Sequence, residues 1–258
     1  MTSVAERLPG DPIWLELTST DAERSLAFYG GLFGWATEPG STSLDGSVTL
    51  RLGRDRIARL VPMPEDGWLV YLAVLDAGAA ATAAEAHGGS VQLGPSPVGD
   101  LGIMAIATDP SGARVGFWQP GTHPGFEVED VPGAPTWFEL HTEDFAAAVP
   151  FYRDVVGWRP VSMGDSDEFR MVVNGEPGAA QAGIYDGARD DLDDESAWMP
   201  YFAVEDADAA AARVRELGGA LLDHPVDTPF GRMVHASDPL GTLFTLIRLP
   251  ETRSAERT

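Results

Sequence analysis

The sequence predicts an α+β fold: two similar domains, each made of two strand–helix–strands units. Three observations carry this. The stretch Trp137–Trp158, WFELHTEDFAAAVPFYRDVVGW, repeats Trp14–Trp35, WLELTSTDAERSLAFYGGLFGW, at a constant shift of 123 positions and without a gap. The identities are Trp14/Trp137, Glu16/Glu139, Leu17/Leu140, Asp21/Asp144, Phe28/Phe151, Tyr29/Tyr152, Gly34/Gly157 and Trp35/Trp158. Second, Tyr71–Asp76 (YLAVLD) returns as Tyr201–Asp206 (YFAVED), each followed by an Ala-rich run that ends in a glycine pair, Gly88-Gly89 or Gly218-Gly219. Third, Gly102–Gly112 returns as Gly231–Gly241, both with Asp-Pro-x-Gly. An internal repeat constrains architecture before any local propensity does.

Taken in order, each copy opens as a strand. Asp21 or Asp144 then caps a helix that carries Phe-Tyr and ends near Gly-Trp. In the first copy Val48 to Leu52 and Arg56 to Val61 read as strands. The glycine pairs read as C-caps of the Ala-rich helices. Asp-Pro-x-Gly reads as a turn, with Pro fixing φ and Gly supplying φ > 0, joining two apolar runs as a hairpin. The boundaries follow: residues 1–118 form the first domain, 119–135 a linker, 136–250 the second domain and 251–258 a tail. The linker holds four prolines and three glycines in seventeen residues.

Composition narrows the partners. A chain of 258 residues is long enough for two cores. No apolar run approaches the roughly 18 residues of a membrane span. The first ten residues lack the basic and apolar regions of a secretory signal, so a cytoplasmic location is expected. There is no cysteine, hence no disulfide or thiolate metal site. The net charge of −23 opposes nucleic acid and anionic membrane surfaces as partners. All 17 formal cations are arginine, which also removes lysine Schiff-base chemistry. Arg51, Arg54, Arg56 and Arg59 read either as a solvated hairpin face or as an anion-binding lip. The acidic stretch 186–195 lacks calcium-loop spacing and reads as a solvated loop.

The Asp-capped Phe-Tyr helices ending in Gly-Trp, the terminal Asp-Pro-x-Gly hairpins and the tandem βαβββ-like units resemble the vicinal oxygen chelate superfamily, which includes glyoxalases, bleomycin-resistance proteins and extradiol dioxygenases. The chain looks most like two-domain actinobacterial members labelled hydroxylase-like or glyoxalase-like, some of which accompany aromatic polyketide pathways. The resemblance implies a tandem pair of glyoxalase/bleomycin-resistance-type domains, each with a cupped sheet. In metal-dependent members the cup holds a divalent ion through His, Gln or Glu. Carried over by motif, the ligand positions are Trp14 and Trp137, then Leu69 or Tyr71 and Met199 or Tyr201, then Gly116 and Thr245. None is a usual ligand, so neither a metal nor another cofactor is expected.

Strand parity gives the cup linings that this resemblance implies. Trp14, Glu16, Met104 and Trp118 face the first cup. Trp137, Glu139, His141, Met233, His235 and Thr245 face the second. Each has a structural reading as core or hydrogen-bonded residue beside the functional one. Two functions remain open. One is metal-free binding of a flat, apolar drug or aromatic metabolite, with tryptophan stacking and carboxylate anchoring, by a monomer or homodimer. The alternative is an acid/base enzyme of isomerase, lyase or hydratase type, acting on a carbonyl compound through Glu139, His141 and His235.

Overall fold

The computed structural model describes residues 7–38, 46–166, 169–189 and 195–250. The first unit runs β1 (Pro12–Ser19), α1 (Ala22–Phe33), β2 (Ala36–Thr37), β3 (Val48–Leu52) and β4 (Asp55–Pro62). The second runs β5 (Gly67–Ala73), α2 (Ala77–Ala86), β6 (Ser90–Val98), β7 (Gly102–Thr108) and β8 (Arg114–Pro120). The repeat supplies β9 (Pro135–Thr142), α3 (Phe145–Val156), β10 (Pro160–Asp165), β11 (Arg170–Asn174) and β12 (Ala182–Asp186). It closes with β13 (Ala197–Ala203), α4 (Ala207–Glu216), β14 (Ala220–Leu221), β15 (Val226–Thr228), β16 (Gly231–Ser237) and β17 (Leu243–Arg248).

These strands make two sheets with one topology. The orders are β2-β3-β4-β1-β5-β8-β7-β6 and β10-β11-β12-β9-β13-β17-β16-β14, with β15 also beside β16. The two units of a domain join within that domain: β1 pairs antiparallel with β5, and β9 with β13. The opening strand lies parallel to the last strand of its own unit, β4 or β12.

Local chemistry sets the helices. Asp21 and Asp144 accept the backbone N–H of Arg24 and Ala147, satisfying one orphan donor each. Gly34 and Gly157 take left-handed backbone at φ 74° and 77°, which stops α1 and α3. Asp76 and Asp206 cap α2 and α4 in the same way.

The repeated motifs of one domain dock on those of the other. The Tyr29 hydroxyl donates to Asp238 Oδ2 at 3.3 Å, and the Tyr152 hydroxyl donates to Asp109 Oδ2 at 3.0 Å. The other oxygen of each aspartate holds its own turn, through Leu240 and Thr242 N–H or Ser111 and Ala113 N–H. Phe28 packs where a Cβ on Gly219 would lie, at 3.0 Å; Phe151 does the same at Gly89, at 2.9 Å. The glycine pairs therefore do more than cap helices: their second members receive the aromatic ring of the opposite domain. Phe28, Tyr29, Phe33 and Trp35 meet Phe202 and Phe244. Burial of such side chains contributes about 1.5–3 kcal/mol each. One continuous hydrophobic core results, shared by both sheets.

The segment between the sheets is packed rather than loose. Its ends belong to strands, β8 reaching Pro120 and β9 starting at Pro135. His123, Phe126 and Val128 are buried, Phe126 N–H donates to Ile13 C=O, and Trp35 Nε1 donates to Gly133 C=O.

Candidate functional site in the second sheet

On β9 the alternation of the strand sends Phe138 and Leu140 into the common core and Trp137, Glu139 and His141 to the opposite face. There they line a cavity of about 350 Å³. Its walls are largely apolar: Met163, Phe169, Met171, Tyr185, Phe230 and Met233 among others. The volume and make-up are those of a small-molecule site.

Glu139 is buried, and its carboxylate accepts three hydrogen bonds. Tyr201 Oη donates to Oε1 at 2.8 Å, His141 Nε2 to Oε1 at 3.0 Å, and Trp137 Nε1 to Oε2 at 3.1 Å. Burial alone would raise its pKa. The hydrogen bond and charge of His141, with the bonds from Tyr201 and Trp137, outweigh burial and hold it below the ordinary value. An ionised acceptor with three donors orients three side chains of the cavity wall.

His235 on β16 stands across from His141, ring centroids 6.3 Å apart at 78°. Asp223 clamps it twice: Oδ2 lies 2.6 Å from Nδ1, and Oδ1 accepts the backbone N–H at 2.9 Å. Partial burial raises the Asp223 pKa, but the bonds from His235 overcome this and hold it below the ordinary carboxylate value. Nδ1 is thereby fixed as the protonated nitrogen, leaving Nε2 for a ligand.

Thr245 keeps the parity of β17 but does not reach the cavity. It is fully buried, its hydroxyl meets Met199 sulfur at 3.1 Å, and Ile247 lines the cavity instead. The neighbouring side chain Met199 covers it.

The first sheet uses the equivalent positions differently. Trp14 and Trp118 are buried, and His123 covers both, its ring 4.4 Å from Trp14 and 5.6 Å from Trp118. Trp118 Nε1 donates to His123 C=O. Glu16 faces Arg59, 4.0 Å away, in place of a histidine. Met104 receives the Tyr71 hydroxyl at 3.8 Å. The side chains expected to meet a ligand here are therefore in contact with the chain itself.

Among the described residues, no group of three or more His, Asp or Glu is placed to hold a metal ion. In the second cup the family's ligand positions hold Trp137, Met199 or Tyr201, and Thr245, and the lining carboxylate, Glu139, already accepts three hydrogen bonds. Indole, thioether and threonine do not make a site for Zn²⁺, Mn²⁺ or Fe²⁺. The residues present do not fit the metal. Three of the four arginines of the cluster are held in ion pairs: Arg51 and Arg56 with Glu38, Arg56 also with Glu127, and Arg59 with Glu16. Of the acidic stretch 186–195, residues 190–194 lie outside the described residues.

Asp223, Tyr185, Phe169 and Phe230 were missed from the sequence. Asp223 and Phe230 lie where the two halves diverge, and Phe169 is on a loop without a strand parity. Tyr185 carried a usable signal, since β12 places it in register with His141.

The comparisons with known proteins agree with the fold. The glyoxalase/bleomycin resistance protein/dioxygenase superfamily profile matches residues 13–117 and 135–246. The chain is 36% identical over 270 residues to the anthracycline biosynthesis protein DauV of Streptomyces sp. (strain C5), covering 96% of each. It is 35% identical over 266 residues to the anthracycline biosynthesis protein DnrV of Streptomyces peucetius, covering 94% of each. Its structure is similar to the 2,3-dioxygenase LapB from Pseudomonas sp. KL28, with a TM-score of 0.67, 16% identity, and 95% of this chain and 93% of that one covered. The Mn(II)-bound glyoxalase from Novosphingobium aromaticivorans gives a TM-score of 0.63 at 17% identity, with 92% and 82% covered. The chain belongs to the glyoxalase/bleomycin resistance protein/dioxygenase superfamily, as a tandem pair of its domains.

Proposed function

We propose that the second cup binds a flat, apolar small molecule without a metal, and that an aromatic polyketide of the anthracyclinone type is its ligand class. The observation that carries this is the cavity itself: aromatic and thioether walls with polar groups gathered at Glu139, His141 and His235. Trp137 supplies a rigid stacking surface whose N–H is already satisfied, so its face is left to the ligand. The similarity to the anthracycline biosynthesis proteins DauV and DnrV supports the ligand class. Sequestration and presentation to a partner enzyme both use such a site.

A thermal-shift titration with an anthracyclinone tests this. Ligand at a hundredfold excess over Kd adds about 2.7 kcal/mol of stability. A rise in melting temperature that saturates with ligand and does not change with chelator is expected. No rise, or one that needs added divalent ion, defeats the reading.

The Asp223–His235 pair favours a second reading, acid/base turnover of a carbonyl compound in the same cup. Glu139, bonded by three donors, serves in either reading to position Trp137, Tyr201 and His141.

A further inference from the structure

We infer that His235, oriented by Asp223, is a proton acceptor toward carbon or hydroxyl acids in the second cup, and that its substrate class is a flat ketone with an enolisable α C–H bond. This rests on the small-molecule reading of the cavity.

Three features of the geometry lead there. A base needs a lone pair free to reach the ligand; three of the roughly four acceptor sites of the Glu139 carboxylate are taken by Trp137, His141 and Tyr201, and the same bonds hold its pKa below the ordinary value, which makes it the weaker base. His235 lines the same cavity with its side chain only 12% exposed. Asp223 reaches it from outside the wall, bonding both Nδ1 and the backbone N–H. Two contacts from one carboxylate fix the ring's rotation and its tautomer together, placing the proton on Nδ1 and the lone pair on Nε2. The same carboxylate stabilises the imidazolium that forms when Nε2 takes a proton. The Asp223 side chain is 31% exposed, so the couple borders solvent while its working nitrogen serves the cavity.

The step balances without a further reactant. Nε2 takes the proton from the α carbon as the C–H electron pair moves into the C–C bond and the carbonyl π pair moves onto oxygen. Return of a proton to the α carbon restores the ketone and neutral His235. In D₂O the returned particle is a deuteron once the imidazolium has exchanged with solvent. Asp223 touches no substrate and is a positioning residue.

The test is deuterium wash-in at the α carbon of 2-tetralone, followed by proton NMR in D₂O, with tryptophan quenching by 2-tetralone as a separate measure of binding. Wild-type protein is expected to exceed the buffer rate by at least about a hundredfold, the low end of general-base contributions. His235→Gln is expected to return the rate to buffer, and Asp223→Asn to lower it about tenfold or more, each measured at a 2-tetralone concentration that saturates that variant's own quenching curve. Circular dichroism and melting curves establish that both variants fold; for one that does not, His235→Asn or Asp223→Ala takes its place with the same expected fall in rate. Quenching without exchange above buffer overturns the proton-transfer proposal and leaves the binding reading standing. Exchange that persists in His235→Gln overturns the assignment to His235. Absence of quenching overturns the small-molecule reading of the cup, and this proposal with it.

Discussion

Arg59 lies across from Glu16 in the first sheet, and Gly183 lies across from Glu139 at the same place in the second. This strand position is one of those at which the two cups differ, beside the His123 cover of the first. The arginine brings its guanidinium to the carboxylate and occupies the space in front of it. The glycine brings no side chain, and Met171 and Trp137 pack into the position its Cβ would take. A Cβ on Gly183 would lie 2.4 Å from Met171 Cε and 3.0 Å from Trp137 Cζ2.

Gly183→Ala therefore has a defined consequence. The new methyl drives Met171 and Trp137 toward the cavity, at an overpacking cost of about 1–3 kcal/mol. Affinity for a flat aromatic ligand is expected to fall at least about tenfold, which equals about 1.4 kcal/mol of binding. A fluorescence titration of both proteins measures it; unchanged affinity would place the ligand away from this wall.

Replacing Glu139 by Gln separates orientation from charge. The amide keeps one acceptor oxygen and turns its other end into a donor facing donors, so a loss of about 1–3 kcal/mol is expected. The sign with pH follows from a folded-state pKa held below the ordinary 4.5. The wild-type carboxylate's contribution is complete above that value and is lost as pH falls through the lower folded-state one. The stability gap between wild type and Glu139→Gln, read by denaturant melts at several pH values, should close toward acid. A gap that is flat with pH contradicts an ionised Glu139.

The two reciprocal Tyr–Asp bonds between domains are unequal. Tyr152 also accepts the Trp198 N–H at 2.9 Å, whereas Tyr29 donates to Asp238 at the longer 3.3 Å. Tyr152→Phe strands an indole donor as well as removing a bond to Asp109. It is expected to cost about 1–3 kcal/mol more than deletion of a bond alone, which is about 1 kcal/mol for Tyr29→Phe. Equal melting-temperature losses would contradict the arrangement.

The repeat made the fold legible: identical residues at one shift named the Asp caps, the Gly stops and the Asp-Pro-x-Gly turns. It did not reveal why Phe-Tyr recurs. The answer is a contact between the two halves, Tyr29 with Asp238, 209 positions on in the chain, and Phe28 with Gly219. Parity on β9 was sufficient to bring Trp137, Glu139 and His141 to one face. Asp223 was beyond reach, because it lies outside any regular strand and the first half has no equivalent. The closing of the first cup by His123 was hidden too, since a Pro- and Gly-rich segment reads as a spacer by composition alone.

Stoichiometry with an assigned tryptophan tests the central claim most directly. A tricyclic anthraquinone is titrated into wild type, Trp14→Phe and Trp137→Phe, with binding followed by calorimetry and by quenching. The account predicts one molecule per chain, affinity unchanged in Trp14→Phe, and affinity reduced about tenfold with part of the quenching lost in Trp137→Phe, the scale of one aromatic stacking contact. Two molecules per chain, or loss of binding in Trp14→Phe with Trp137→Phe unaffected, would contradict it.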